Sequence, residues 1–340
     1  MEHRTLGRSG LAVSTYSLGT MTFGVEADEP TSHWLMSQYV DAGGVVLETA
    51  DVYGGGLSES IIGRWFAAQG SSTRDRVVLA TKGRFPSRGV EPRDAGGSRR
   101  NLRRSLDRSL QRLGVDHVDL YQVHAHEALT PMEETAGFLD DAVRSGKISY
   151  AGLSNYTGWQ TATMVGLAAG RFPLVSHQPQ YSLLVRETEY EIVPACVAGG
   201  LGLLPWSPLG GGYLTGKYRR DEAPTGATRL GDDPERGMEA VSKRGASAQT
   251  WDVVDAVRAV ADGRGATMAA VALAWLHDRP GVASVILGVR TPEQLEGNLA
   301  AVGLHLTEEE TARLDAASAP TPQDYPYGPG GVDQRTRTLA

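Results

Sequence analysis

Glu48, Lys82 and His124 stand where short apolar runs end, after GGVVL, RVVLAT and HVDLYQV respectively, and Tyr53 follows Glu48 by five residues beside three glycines. Asn155 just after Ser154, Gln178 and Ser207 close three further runs, KISYAGL, FPLVSH and GLGLLPW. The chemistry open to this set is proton delivery. A phenol titrates near pH ~10 and is a poor acid at neutrality unless a cation stabilises its anion. Lys82 supplies such a cation, Glu48 keeps that ammonium charged and placed, and an imidazole can orient or polarise a carbonyl oxygen. Together they can protonate a carbonyl as it gains electrons. No side chain here gives a hydride, so the electrons must come from a bound group.

Taken singly, these residues have plainer readings. Glu48 and Lys82 alone read as an ion pair tying two strands. His124 and His126 have an HxH spacing seen in metal sites, but metal ligation needs ligands from other strand ends and Lys82 is a poor one. No metal is expected, and His126 reads as a loop residue. Asp51 reads as a loop or helix-end carboxylate, and Gly54, Gly55 and Gly56 as a tight turn, since no phosphate-loop lysine follows. Trp206 alone would be a core aromatic; before Ser-Pro-Leu-Gly at a strand end it suits stacking on a planar ligand. Asn155-Tyr156-Thr157 fits a glycosylation acceptor, which has no meaning in a cytoplasmic chain. Cys196 reads as a small buried hydrophobe.

What must position these residues is a repeated strand and helix unit. GVASVIL before Gly288 and the early LAVSTYSLGT bring the strand-length runs to eight candidates. Many are continuously apolar, as parallel strands covered on both faces require. Between them, SRRNLRRSLDRSLQRL at 98–113 carries leucines at 102, 106, 110 and 113, a helical stripe. Thr130-Pro131-Met132-Glu133, Thr291-Pro292-Glu293-Gln294 and Thr307 with Glu310 have the chemistry of helix N-termini. The pattern implies a (β/α)8 TIM barrel, whose reacting groups gather at the C-terminal ends of the strands. A doubly wound open sheet is the second choice; no GxGxxG, GxGxxA or GxxxxGK[ST] is present. Residues 210–248, rich in glycine and charge, read as a long functional loop. We divide the chain into the barrel, 1–317, and a Pro/Gly-rich irregular tail, 318–340.

Composition sets the outer limits. A chain of 340 residues with 41% hydrophobic and 21% charged residues and a net charge of −7 is an ordinary globular protein without nucleic-acid character. The arginines at 99, 100, 103, 104 and 108 read as a solvated helix face. A single cysteine excludes an intrachain disulfide and suits a reducing compartment. The N-terminus lacks the apolar core of a signal peptide, and no run approaches the roughly eighteen residues of a membrane span. A cytoplasmic protein with no membrane partner is expected; its oligomeric state is left open.

LETADVYG with SESIIG following, ATK at 80–82, YQVH at 121–124, GLSN at 152–155, HQPQYS at 177–182, WSPLGGG at 206–212 and GVRTPEQLEGN at 288–298 together resemble an aldo-keto reductase. The resemblance runs from residue 4 to about 315 and is strongest to the bacterial branch that also resembles voltage-gated potassium channel β subunits. It implies NADPH-dependent, metal-free reduction of an aldehyde or ketone. Tyr53 would be the proton donor, Lys82 its electrostatic partner and His124 the orienting group, with Glu48 in the fourth catalytic position. Ser154, Asn155 and Gln178 would hold the nicotinamide carboxamide and Trp206 would stack on its ring. Ser207, Leu209, Gly212 and Lys217 would line the pyrophosphate path, and Arg290, Gln294 and Asn298 the adenosine end. Gly19, Thr20, Met21 and Gly288 complete the implied cofactor set. Arginine suits a 2′-phosphate through forked, charge-assisted hydrogen bonds. The chain departs from the family in having Glu48 for the usual aspartate and Gly297 for a glutamate that touches the adenine. The alternative function is a weakly catalytic NADPH-binding barrel that reports redox state to a partner protein. A barrel isomerase or metal hydrolase, binding no NADPH, is a third. The carbonyl substrate itself is not readable; the loop at 23–30, Phe85, Trp159 and the tail are candidate pocket walls.

Overall fold

The computed structural model describes residues 1–86, 92–226, 228–231, 233–235, 237–322, 324–328 and 331. A hairpin of β1 (His3–Thr5) and β2 (Ala12–Ser14) precedes an eight-stranded parallel sheet. In that sheet β3 (Tyr16–Gly19), β4 (Val46–Glu48), β5 (Val78–Gly83), β6 (Val118–Val123), β7 (Ile148–Ser154), β8 (Leu174–Gln178) and β9 (Gly202–Leu203) follow one another, and β10 (Val285–Gly288) lies beside β3. The sheet closes where the Ala283 amide donates to the Leu203 carbonyl at 2.9 Å and the Ile286 amide to the Pro205 carbonyl at 3.0 Å. The helices are α1 (Glu29–Asp41), α2 (Leu57–Gln69), α3 (Ser71–Asp75), α4 (Arg99–Leu113), α5 (Met132–Arg144), α6 (Gly158–Ala168), α7 (Thr188–Gly199), α8 (Ala248–Arg264), α9 (Met268–His277), α10 (Pro292–Leu299) and α11 (Glu308–Ser318). The fold is a (β/α)8 barrel. No described helix is long and apolar enough to cross a membrane.

The barrel interior explains where the polar residues end up. Val46, Ala80, Leu120, Val175, Leu204 and Ile286 pack inside it, and Leu6 and Val13 of the hairpin close its N-terminal end. Side chains two residues apart on a strand share a face. Glu48 after Val46, Lys82 after Ala80 and Gln122 after Leu120 therefore form the next layer toward the C-terminal rim. The run LAVSTYSLGT, read as one strand, is two: Thr15 breaks it, donating its amide to Glu2 and accepting from Val285.

The leucine stripe of 98–113 behaves as its spacing requires. Ser98 caps α4 by accepting from the Asn101 amide, and Leu102, Leu106, Leu110 and Leu113 are buried. Of the helix starts read from sequence, Thr307 and Glu310 close a full capping box. Thr291 caps α10, but Gln294 turns back to the Arg290 amide at 3.1 Å. Thr130 is not a cap: α5 starts after Pro131, and the Thr130 hydroxyl is held outside the helix, donating to the Glu127 carboxylate at 2.6 Å. Of the expected tail, Tyr327 stacks on Tyr190 of α7 at 5.0 Å, while residues 323, 329, 330 and 332–340 lie outside the described residues.

Helix–helix contact is close enough to require glycine at Gly63. A Cβ there would sit 2.4 Å from the Arg112 carbonyl of α4. Alanine in place of helical glycine gains up to about 1 kcal/mol. Overpacking against backbone costs about 1–3 kcal/mol, and the clash wins. Gly63→Ala is expected to lower the urea midpoint; an unchanged or raised midpoint would show that α2 shifts freely over α4.

Candidate active site

The Glu48–Lys82 pair lies at the centre of the C-terminal rim. Both side chains are buried, Lys82 completely, and Lys82 Nζ donates to Glu48 Oε1 and, at 2.8 Å, to the Thr49 carbonyl. Gln178 Nε2 donates to the same Glu48 oxygen at 3.2 Å. The extra methylene of glutamate thus lets one carboxylate span three strands, β4, β5 and β8. Gly19 lies beside it: a Cβ there would touch Glu48 Oε2 at an ordinary 3.5 Å but would clash with the Ile286 side chain at 2.7 Å.

Tyr53 reaches this pair from a 3₁₀ turn, Tyr53–Gly56, in which Gly54, Gly55 and Gly56 all have positive φ. A side chain at these positions would be strained, so the glycines let the chain bend back within four residues. Lys82 Nζ lies 4.6 Å from the Tyr53 ring centroid and is coupled to its hydroxyl by charge and hydrogen bonding. Burial pulls the Lys82 ammonium down, but Glu48 and Tyr53 outweigh it and its pKa rises. The phenol does not become more acidic, contrary to the sequence reading. Burial, then the Glu48 charge, raise the Tyr53 pKa, with Lys82 opposing. Tyr53 therefore rests protonated in the neutral range.

His124 meets the Tyr53 ring edge to face at 5.9 Å and Phe85 at 4.8 Å. Burial and then the Lys82 and Arg84 charges hold its pKa well below the ordinary imidazole value. It is neutral at pH 7, with one N–H and one lone pair. Its Nδ1 is buried and without a hydrogen-bond partner. A buried polar atom left unmatched in a cleft is one a ligand could satisfy.

The other sequence-derived positions form a chain leading away from this centre. Ser154 donates to the Gln178 carbonyl at 2.9 Å, and Asn155 donates to Ser154 at 3.1 Å and to the His124 carbonyl at 3.0 Å. Trp206 donates its indole N–H to Asn155 Oδ1 at 3.0 Å, so the half-buried ring is held by the oxygen of an amide whose nitrogen is fixed on Ser154 and His124. Asn155 and Ser207 have φ near +55°, uncommon for residues with a Cβ and a mark of sites under functional constraint. Leu209 leads into the turn Gly210–Thr215, where the Lys217 stem lies across Gly212: a Cβ there would meet it at 2.3 Å. Around Gly288 the rim is open. Arg290 pairs with Glu26 at 3.1 Å, Gln294 braces the Arg290 amide, and Asn298 is buried one turn on. Met21 is 39% exposed at the rim, whereas the Thr20 hydroxyl turns inward to the Glu48 carbonyl at 3.0 Å and Ser58 at 2.7 Å. Around Gly297 there is open space.

Several site residues were not singled out from sequence. Glu239, in the long loop, accepts from Gln180, Ser207 and Arg244 and anchors that loop to the strand ends. Tyr213, Tyr218, Leu230, Trp251 and Val254 give the loop a small core of its own. Gln122, fully buried beside Lys82 in register, accepts from Ser176 at 3.4 Å. Asp51 is a loop carboxylate, as its place in the sequence implies, but it is buried: its amide donates to the Lys82 carbonyl at 3.0 Å and its Oδ2 accepts from Ser105 at 2.5 Å.

Burial first, with Glu59 adding to it, raises the Asp51 pKa to about 7. The contribution of a carboxyl so raised is fully present below its unfolded value near ~4 and is lost as pH climbs through about 7. Asp51→Asn keeps an acceptor for Ser105 and removes the titration. The fall in melting temperature between pH 5 and pH 8 is expected to be smaller in this variant than in the parent. An identical fall in both would show that Asp51 titrates at its ordinary value.

The chain matches the aldo/keto reductase family over residues 16–319. It is 39% identical to the uncharacterized oxidoreductase YrpG of Bacillus subtilis (strain 168), covering 97% of this chain and 98% of that protein. An L-glyceraldehyde 3-phosphate reductase of Escherichia coli O157:H7 is 33% identical, with 93% and 92% covered. A probable voltage-gated potassium channel subunit beta of Oryza sativa subsp. japonica is also 33% identical, with 95% and 98% covered. By its sequence, its barrel and the residues on its rim, the chain belongs to the aldo/keto reductase family.

Proposed function

We propose that this protein is an NADPH-dependent carbonyl reductase of the cytoplasm, acting on a small aldehyde or ketone with Tyr53 as proton donor. The observation that carries the reading is a fully buried lysine held between a carboxylate and a phenol, with a neutral imidazole on the other edge of that phenol. The donor set suits a nicotinamide dinucleotide: an indole face, a glycine turn crossed by Lys217, and Arg290 with Gln294 beyond it. When bound, NADPH would supply the hydride. Trp206 would support the nicotinamide ring, Ser154, Asn155 and Gln178 its carboxamide, Ser207, Leu209, Gly212 and Lys217 the pyrophosphate, and Arg290, Gln294 and Asn298 the adenosine end.

The chain's own groups then have separate tasks. His124, neutral, donates its one N–H to a carbonyl oxygen and so orients it without adding charge. Tyr53 gives its hydroxyl proton to the oxygen as negative charge builds there. Lys82 stabilises the phenolate left behind, and Glu48 keeps Lys82 charged and fixed during the transfer. General acid catalysis of this kind needs no metal ligand set.

One substrate chemistry named among the relatives is a phosphorylated three-carbon aldehyde, for which the Escherichia coli reductase is named. Glyceraldehyde 3-phosphate, a free aldose and an aromatic aldehyde form a suitable first panel with NADPH. Loss of the reduced-nicotinamide absorbance with at least one of them is expected. NADPH binding without turnover of any carbonyl would favour the second reading, a redox-reporting barrel, which the similarity to potassium channel subunits beta supports. No binding of either reduced nicotinamide would end both.

A further inference from the structure

Lys217, Arg229 and Arg290 come from two distant stretches of the chain, yet their charges act on one another. The Lys217 pKa is lowered by desolvation first, then by the Arg290 and Arg229 charges, while Glu26 opposes them. Three cations and one carboxylate therefore share this end of the rim. Glu26 lies in the loop between β3 and α1, which leans on the end of β10 through the Thr22 hydroxyl, bonded to the Val289 carbonyl at 2.6 Å. From there its carboxylate meets the Arg290 guanidinium at 3.1 Å, both side chains more than four-fifths buried.

We propose that Glu26 sets the choice between NADPH and NADH, acting as an internal counter-ion that competes with the 2′-phosphate for Arg290. The inference rests on the nicotinamide-dinucleotide reading above. A phosphate monoester carries about −1.5 to −2 charges at neutral pH. To pair with it, Arg290 must give up a carboxylate it already holds, and that carboxylate then stands close to a second anion. A ribose 2′-hydroxyl imposes neither cost. It leaves the Glu26–Arg290 pair intact and can donate a hydrogen bond to the carboxylate. Glu26 thus weakens NADPH binding selectively and narrows the preference that Lys217, Arg229 and Arg290 would otherwise enforce.

The test is nucleotide affinity, read by quenching of intrinsic tryptophan fluorescence and by calorimetry, with no carbonyl present. Glu26→Gln keeps shape and removes charge. It is expected to tighten NADPH binding on the order of tenfold, the scale of one part-buried charge pair, and to leave NADH unchanged or weaker. Raising salt should weaken NADPH binding more steeply in the variant than in the parent. Arg290→Ala should weaken NADPH binding, and Glu26→Gln added to it should restore little, since the carboxylate acts through the guanidinium. An NADPH affinity unchanged by Glu26→Gln overturns the proposal. So does an equal loss for both nucleotides, which would make Glu26 a structural latch for its loop. A parent that binds neither nucleotide refutes instead the functional reading on which the proposal rests.

Discussion

Tyr53→Phe is expected to slow the chemical step by about 10²–10⁴-fold, the usual share of a positioned general acid. NADPH binding should change little. The variant loses one oxygen and keeps the ring, so the edge contact with His124 and the face toward Lys82 survive. The pH dependence adds a sharper criterion. Burial and the Glu48 charge raise the Tyr53 pKa above its free value of 10.0, so the phenol holds its proton throughout the neutral range. Single-turnover reduction by the parent should therefore show no loss from Tyr53 ionisation between pH 6 and pH 9. His124 is already neutral there, because its pKa lies well below 6.5. A basic limb that falls below pH 9 and vanishes in Tyr53→Phe would show that Lys82 acidifies the phenol after all. A variant as fast as the parent on every carbonyl would move the proton donor elsewhere.

Much of this site could be read from the chain because a barrel puts chemistry at a fixed place on every strand. Glu48, Lys82, Ser154 and Gln178 are polar residues at or next to the ends of apolar runs, and that change of character is visible in one dimension. The glycines at 54–56 were legible for the same reason, since only a sharp turn needs three together. What could not be read is the sum of opposing charges. That Lys82 sits beside Tyr53 follows from strand order; that burial and Glu48 outweigh it on the phenol follows only from depth. Asp51 shows the same limit. Nothing near it in sequence foretells Ser105, 54 residues on, which covers it from α4. Glu239 was hidden because its three partners come from separate segments, and the loop that carries it has no periodicity. Thr130 shows a local signal overridden by a side chain three residues before it.

Lys82→Met is expected to destabilise the fold by about 3–5 kcal/mol at pH 8, because it strands the Glu48 carboxylate without its partner. The sign of the pH effect follows from the stranded charge. Burial of an unpaired charge favours its neutral form, so the variant's deficit should be smaller at pH 5 than at pH 8. Gln178 donates one hydrogen bond to Glu48 and cannot replace a full charge. Lys82→Met with Glu48→Leu removes both ions and fills much of their volume with apolar groups. It should recover most of the lost stability while leaving reduction as slow as in either single variant, since neither the cation nor its holder remains. Urea denaturation of the three variants at pH 5 and pH 8, beside their single-turnover rates, separates the two roles of the pair. A double variant no more stable than Lys82→Met would mean that the layer above Val46, Ala80 and Leu120 is held by the charges themselves. A fast double variant would remove Lys82 from the chemistry.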